Sequence, residues 1–136
     1  MTWVVDTCIL IDILDADPTH GKQSAACLTQ ILPDGLALSP VSYIELAPTF
    51  HGEAEQLHVF LQGIGARVLG WHQDNNEAAF AAWHRYVQAK RAGQVRRRPI
   101  ADILIGASAV AQQGLITRNP RDFSRWFPDL QLVVPG

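Results

Sequence analysis

Apolar residues along the chain fall into short runs that alternate between two spacings, and the alternation predicts strands and helices in turn. Trp3-Val4-Val5 is a continuous apolar run of strand character that stops at Asp6, after which Ile9, Leu10, Ile13 and Leu14 recur at helical spacing. Asp17-Pro18 breaks that helix. A second helical stretch, with Ala25, Ala26, Leu28, Ile31 and Leu32 apolar, runs to the turn at Pro33-Asp34-Gly35, and Leu36-Ala37-Leu38 reads as the second strand. Pro40 punctuates the strand end, and Ser42 followed three residues later by Glu45 predicts a capping box at the head of a short helix. A helix is expected over residues 53–63 on a stripe of Leu57, Phe60 and Leu61, and a third strand over residues 66–69. Asp74 or Asn75 is expected to cap the longest helix, which runs towards Arg91 with Ala78, Ala82, Trp83, Tyr86 and Val87 on one side, Trp83 and Tyr86 as core residues.

Pro99 stands before a stretch, residues 100–109, that is apolar on nearly every side except for Asp102 and Ser108, which predicts a buried helix. Gly114 ends it. Leu115-Ile116-Thr117 makes a fourth strand, Asn119-Pro120-Arg121-Asp122 a turn leading to Phe123, Trp126 and Phe127, and residues 130–134 a last strand. Strands alternating with helices imply right-handed crossovers and a mostly parallel sheet covered on both faces. Ligands in such sheets bind beyond the carboxyl ends of the strands, the edge where Asp6, Glu45 and the turn from Thr117 to Asp122 are expected to gather.

Composition narrows the setting. At 136 residues and 48% hydrophobic content, residues 1–136 are expected to form one domain. The apolar runs are far shorter than a bilayer span, and the N-terminal stretch has neither a basic region nor a long apolar core before a cleavage site, so a soluble, cytoplasmic protein without membrane partners is expected. Cys8 and Cys27 lack CxxC spacing and a His pattern and read as small buried hydrophobes, while the five scattered histidines read as structural. The net charge of −2 decides nothing, because an acidic centre and a basic rim cancel in the sum. Six of the eleven basic residues fall between Arg85 and Arg98 in a stretch without an acid, which makes Arg91, Arg96, Arg97 and Arg98 part of a candidate phosphate-binding rim. A solvated helix end explains the same run equally well.

Each acid has a structural alternative: Asp6 as a helix cap, Glu45 in the capping box, Asp102 at a helix dipole, Asp122 in a turn. Taken together they are harder to explain this way. Asp6 directly follows an apolar strand and Asp102 interrupts an apolar helix, where an unpaired charge is costly. Two carboxylates about 4 Å apart repel by roughly 4 kcal/mol at an effective dielectric near 20, so a cluster of them takes up protons or a cation. A hard divalent ion, Mg²⁺ or Mn²⁺, takes oxygen ligands and activates water against a phosphodiester.

Four segments carry a family resemblance: V-V-D-T at 4–7, S-Y-I-E-L at 42–46, P-I-A-D-I-L-I-G-A-S-A at 99–109 and L-I-T-R-N-P-R-D-F at 115–123. In this order they resemble the successive motifs of PIN-domain ribonucleases, and their spacing is most similar to VapC-type toxins of type II toxin–antitoxin pairs. The resemblance implies a three-layer α/β/α PIN-like fold around a sheet of about five strands, and an endoribonuclease dependent on Mg²⁺ or Mn²⁺. It implies that Asp6, Glu45 and Asp102 bind the ion directly or through water, with Asp122 as the fourth acid, since Asn119, the other candidate position, supplies no charge. Thr117 matches the hydroxyl residue expected beside these acids, with Asn119, Thr7 and Ser42 as further supporting positions. It also implies RNA as substrate, a cognate antitoxin of VapB or another small type, and a homodimer that could enter a larger toxin–antitoxin assembly. Against these stand a PIN-like module that binds RNA or protein without turnover, and a haloacid-dehalogenase-like phosphatase, which would want a second aspartate at position 8, where Cys stands.

Overall fold

The computed structural model describes residues 1–93 and 99–136. Five short strands, β1 (Trp3–Val5), β2 (Leu36–Leu38), β3 (Ala66–Val68), β4 (Gly114–Ile116) and β5 (Leu132–Val133), form one sheet in the order β3-β2-β1-β4-β5. Every pairing is parallel. Val4 pairs with Leu115 and Val5 with Ile116, so neighbouring strands present matched residues to the same face. Val5 and Ile116 join Ile9, Leu10, Leu28, Leu57 and Leu61 in one core layer; Val4 and Leu115 join Ile105, Ala109 and Phe123 in the other. A parallel sheet needs both faces covered, and this chain covers them with seven helices among the described residues.

The first layer comes from α1 (Thr7–Leu14), α2 (Gly21–Ile31) and α4 (Ala54–Ile64), which ends on Gly65 in the left-handed conformation that glycine adopts without strain. On the other face α6 (Ile100–Val110) lies against the sheet, flanked by α7 (Arg121–Ser124), and α5 (Gln73–Arg91) packs outside α6. Gly106 is the point of closest approach there. A Cβ at that position would collide with the buried Phe127 ring, so only glycine lets α6 and the segment after α7 pack this closely. The short α3 (Pro40–Glu45) leaves β2 at the head of the sheet and touches α6.

Two helix starts differ from the sequence expectation, for reasons of local chemistry. Pro40 takes the first helical position of α3, which makes Ser39 the cap: its hydroxyl accepts from the Ser42 N–H at 3.1 Å. Ser42 and Glu45 therefore form no capping box, and Glu45 closes the helix instead of opening it. At α5 the cap is His72, whose N–H donates to the Asn75 side chain at 2.8 Å. The Asn75 amide in turn donates to the Ala107 carbonyl at 3.0 Å, tying α5 to α6. Tyr86 is buried as expected, whereas Trp83 stacks on it at 4.9 Å between centroids with its outer side exposed.

Candidate active site

The strand order reverses at β1, whose neighbours β2 and β4 are reached by crossovers in opposite directions, and a crevice opens beyond the carboxyl ends of the strands at such a point. Asp6 leaves β1 there, and Thr117 leaves β4. The two meet: the Thr117 hydroxyl donates to Asp6 Oδ2 at 2.7 Å, while the Asn119 N–H donates to the same hydroxyl oxygen at 3.0 Å and fixes the direction of its proton. Asp6 occupies the cap position of α1 yet makes no capping bond to the helix interior, so its carboxylate serves the crevice rather than the helix.

A second chain of hydroxyls arrives from α3. Thr7 Oγ1 donates to Glu45 Oε1 at 2.7 Å and lies 2.8 Å from Ser42 Oγ. A hydroxyl carries one proton, so Ser42 donates in the second contact, and Ser39, 3.4 Å from Ser42 Oγ, donates to Ser42. The order Ser39, Ser42, Thr7, Glu45 delivers donor after donor onto one carboxylate. Ser39 and Ser42 are wholly buried and Glu45 is exposed, so the chain holds the Glu45 head from below and leaves the group open to solvent.

The electrostatics follow from this placement. Burial is the largest influence on Asp6 and pushes its carboxyl above the usual carboxylate range; the neighbouring charge of Glu45 adds to the rise, and hydrogen bonds from Thr117, Cys8 and the Thr7 N–H oppose it. Cys8, read from sequence as a buried hydrophobe without chemistry, stands in the site, its Sγ 3.3 Å from Asp6 Oδ2. Burial, reinforced by the charge of Asp6, pushes the thiol up to about 12, so at neutral pH Cys8 is an S–H donor and neither a thiolate ligand nor a nucleophile. Cys27 lies away from this site, lining a cavity with Gln23 and Val133.

Helix α6 runs from its start at Ile100 down towards the foot of β1. The Gln113 N–H donates to the Thr2 carbonyl at 2.8 Å and Gln112 Oε1 accepts from the Thr2 N–H at 3.1 Å, so the far end of α6 sits at the foot of β1. From Val110 back to Asp102 the helix climbs about 12 Å at 1.5 Å per residue. From Thr2 to Asp6 the strand climbs about 13 Å at 3.3 Å per residue. The start of α6 therefore lies towards the carboxyl edge of the sheet, and Asp102 is in its first turn, half-buried and engaged in a polar interaction; Asp122, equally half-buried and engaged, lies in the first turn of α7. Among the described residues no three His, Cys, Asp or Glu side chains converge closely enough to hold an ion between them, and the charge of Glu45 is among the influences on Asp6.

The candidate basic rim divides. Arg85 is committed to the protein, its Nη1 donating to the Trp126 carbonyl at 2.8 Å. Arg91 is exposed at the end of α5, and Arg96, Arg97 and Arg98 lie outside the described residues.

The profile of the PIN domain family matches residues 3–126, nearly the whole chain and all four acidic motifs. The chain belongs to the PIN domain family. Solved PIN-fold relatives resemble it from end to end. A chain in the structure of VapBC-1 from nontypeable Haemophilus influenzae superposes with a TM-score of 0.70 at 26% identity, covering 98% of each chain. VapBC2 from Rickettsia felis, solved bound to a DNA fragment from its promoter, gives 0.68 at 19% identity over 100% of both chains. A toxin–antitoxin complex from Klebsiella pneumoniae gives 0.66 at 22% identity over 99% of this chain and 98% of that one, and these last two similarities speak for the fold. No curated protein matches. The VapC-type PIN resemblance carried by the motifs is thus met by structure along the full length.

Around the acids this PIN domain also places Cys8, Ser39, Asp12 and Arg118, four residues to which the sequence reading assigns no role in the site. Asp12 had a readable signal, a lone acid inside the apolar helix pattern from Ile9 to Leu14, the same signal that marks Asp102. Its partner Arg118, 106 residues away, could be found only by folding the chain.

Proposed function

We propose that this PIN-domain protein is a metal-dependent endoribonuclease of VapC type, the toxin of a toxin–antitoxin pair, with Asp6, Glu45, Asp102 and Asp122 as the acids that hold Mg²⁺ or Mn²⁺. The observation that carries the reading is the setting of Asp6: a buried carboxyl group at the strand-order reversal, on which the charge of Glu45 also acts, with no cationic side chain of the described residues among the influences on it. A cation relieves both the burial cost and the repulsion. The donor set suits a hard ion, since the acids offer oxygen and Cys8 keeps its proton.

When bound, the ion supplies Lewis acidity, polarising a phosphate oxygen and making a water more acidic. The side chains do the rest. Thr117, itself oriented by the Asn119 N–H, holds the Asp6 carboxylate in one rotamer; the Ser39-Ser42-Thr7 chain does the same for Glu45. Preorganised in this way, the acids would hold the cation where negative charge develops on the phosphoryl oxygens, without first having to reorient. An open crevice reaches the splayed backbone of single-stranded or looped RNA more easily than a regular duplex, and Arg91, with Arg96 to Arg98 following it in sequence before α6, is the proposed salt-sensitive grip on that backbone.

The matched structures are VapBC and toxin–antitoxin complexes, which supports a VapB-like or other small antitoxin as partner; the homodimer is proposed from the family resemblance alone. Among the described residues no helix is long and apolar enough to cross a membrane; the cytoplasmic setting is proposed from the family resemblance.

Purified protein incubated with unstructured RNA should cleave it in Mg²⁺ or Mn²⁺, stop in EDTA, and resume when the ion is returned in excess. Cleavage that persists in EDTA contradicts the mechanism.

A further inference from the structure

Asp12 is 2% exposed, in the middle of α1, and both of its oxygens are taken. Arg118 donates from Nε to Oδ2 and from Nη2 to Oδ1, each at 2.9 Å, and the Ser24 hydroxyl of α2 adds a third bond to Oδ2 at 3.2 Å. Only a guanidinium delivers two parallel bonds of this kind, and the fork fixes the angle of the arginine as well as its distance. An ion pair whose aspartate is buried but whose Arg118 side chain is 32% exposed contributes little net stability, so stability alone does not explain one here.

Its position does. Arg118 lies between Thr117, which donates to Asp6, and Asn119, whose N–H orients that donor and whose side-chain amide lies 3.8 Å from the sulfur of Cys8, the second donor to Asp6. Asp12 stands on the same helix that Asp6 opens. We propose that the Asp12–Arg118 fork is a positioning clamp for the cleft: it locks the segment leaving β4 onto α1, so that Thr117 and Asn119 hold the Asp6 carboxylate in the orientation that receives the cation. The clamp rests on the metal-dependent reading of the site and adds to it two residues that touch neither ion nor substrate.

The test separates position from stability. Asp12→Leu/Arg118→Met removes both charges at similar volume, and Arg118→Lys keeps the charge but loses the fork. Mn²⁺ affinity is measured by the electron paramagnetic resonance signal of free Mn²⁺, and folding separately by urea denaturation in EDTA. The double variant should unfold at a urea midpoint near that of the parent chain, yet bind Mn²⁺ about 10- to 100-fold more weakly, the range for partners that orient metal ligands. Arg118→Lys should fall between the two. A folded double variant that binds Mn²⁺ within twofold of the parent overturns the clamp, and if that variant does not fold, Arg118→Lys decides by the same twofold criterion. Failure of the parent chain itself to bind Mn²⁺ overturns the ribonuclease reading, and the clamp's purpose with it, an outcome distinct from unchanged binding in the variants.

Discussion

Replacing Asp6 by Asn should reduce RNA cleavage at least about a hundredfold, the scale of roughly 3 kcal/mol seen when one preorganised group is taken from a transition state. The same variant should be more stable than its parent when no metal is present. Asp6 is buried and its carboxyl lies above the usual range, so the folded chain holds that proton more tightly than the unfolded chain does. Folding is therefore penalised once pH rises past the unfolded value and through the folded one, and the penalty is absent where both states are protonated. Asparagine keeps an acceptor for the Thr117 hydroxyl and carries no charge. In EDTA at pH 7, Asp6→Asn should melt a few degrees above the parent, and the gain should shrink on acidification through the carboxylate range. Added Mg²⁺ should reverse the ranking, because only the parent gains from binding: about 2.7 kcal/mol at an ion concentration one hundred times Kd. An Asp6→Asn protein that cleaves RNA as well as the parent removes Asp6 from the chemistry.

Phe123→Ala should produce the largest loss of stability. Phe123 is 1% exposed and packs with Val4, Ile105, Ala109 and Leu115, joining α7, α6 and the two central strands β1 and β4. Truncating a buried Phe to Ala costs about 3–5 kcal/mol through lost burial and the cavity left behind, against a total of about 5–15 kcal/mol for a domain. Melting should fall by roughly 10–15 °C by circular dichroism. A drop of only a degree or two would mean that α7 is not docked on the sheet. The position matters to the site because Phe123 follows Asp122 directly, and its ring anchors the segment that begins at Thr117.

How far these features could be read from sequence depended on whether the signal was local. The apolar run at Trp3 to Val5 ending in Asp6, and the apolar helix broken by Asp102, are local patterns that the fold converts directly into β1 and α6, and the alternation of strands and helices gave the parallel sheet. Glu45 shows the opposite case. Its spacing from Ser42 matches a capping box, but Pro40 starts the helix early and passes the cap to Ser39, leaving Glu45 to bond with Thr7, 38 residues away. Cys8 looked inert because burial is usually all that a lone cysteine records. Its contact with Asp6 comes from the turn into α1, where residues two apart meet across a cap. The basic run between Arg85 and Arg98 was read as a single feature, yet Arg85 serves the Trp126 carbonyl, because a charge run carries no information about which members face solvent.

Asp6, Glu45 and Asp102 are proposed to come together around a divalent cation at the head of the sheet, and the rest of the mechanism depends on that arrangement. Crystals of the protein grown with Mn²⁺ and measured at a wavelength where manganese scatters anomalously test it directly. The expected result is an anomalous peak coordinated by Asp6 and by at least one of Glu45 and Asp102. An ordered crevice without such a peak at saturating Mn²⁺, or a peak bound elsewhere on the chain, would contradict it.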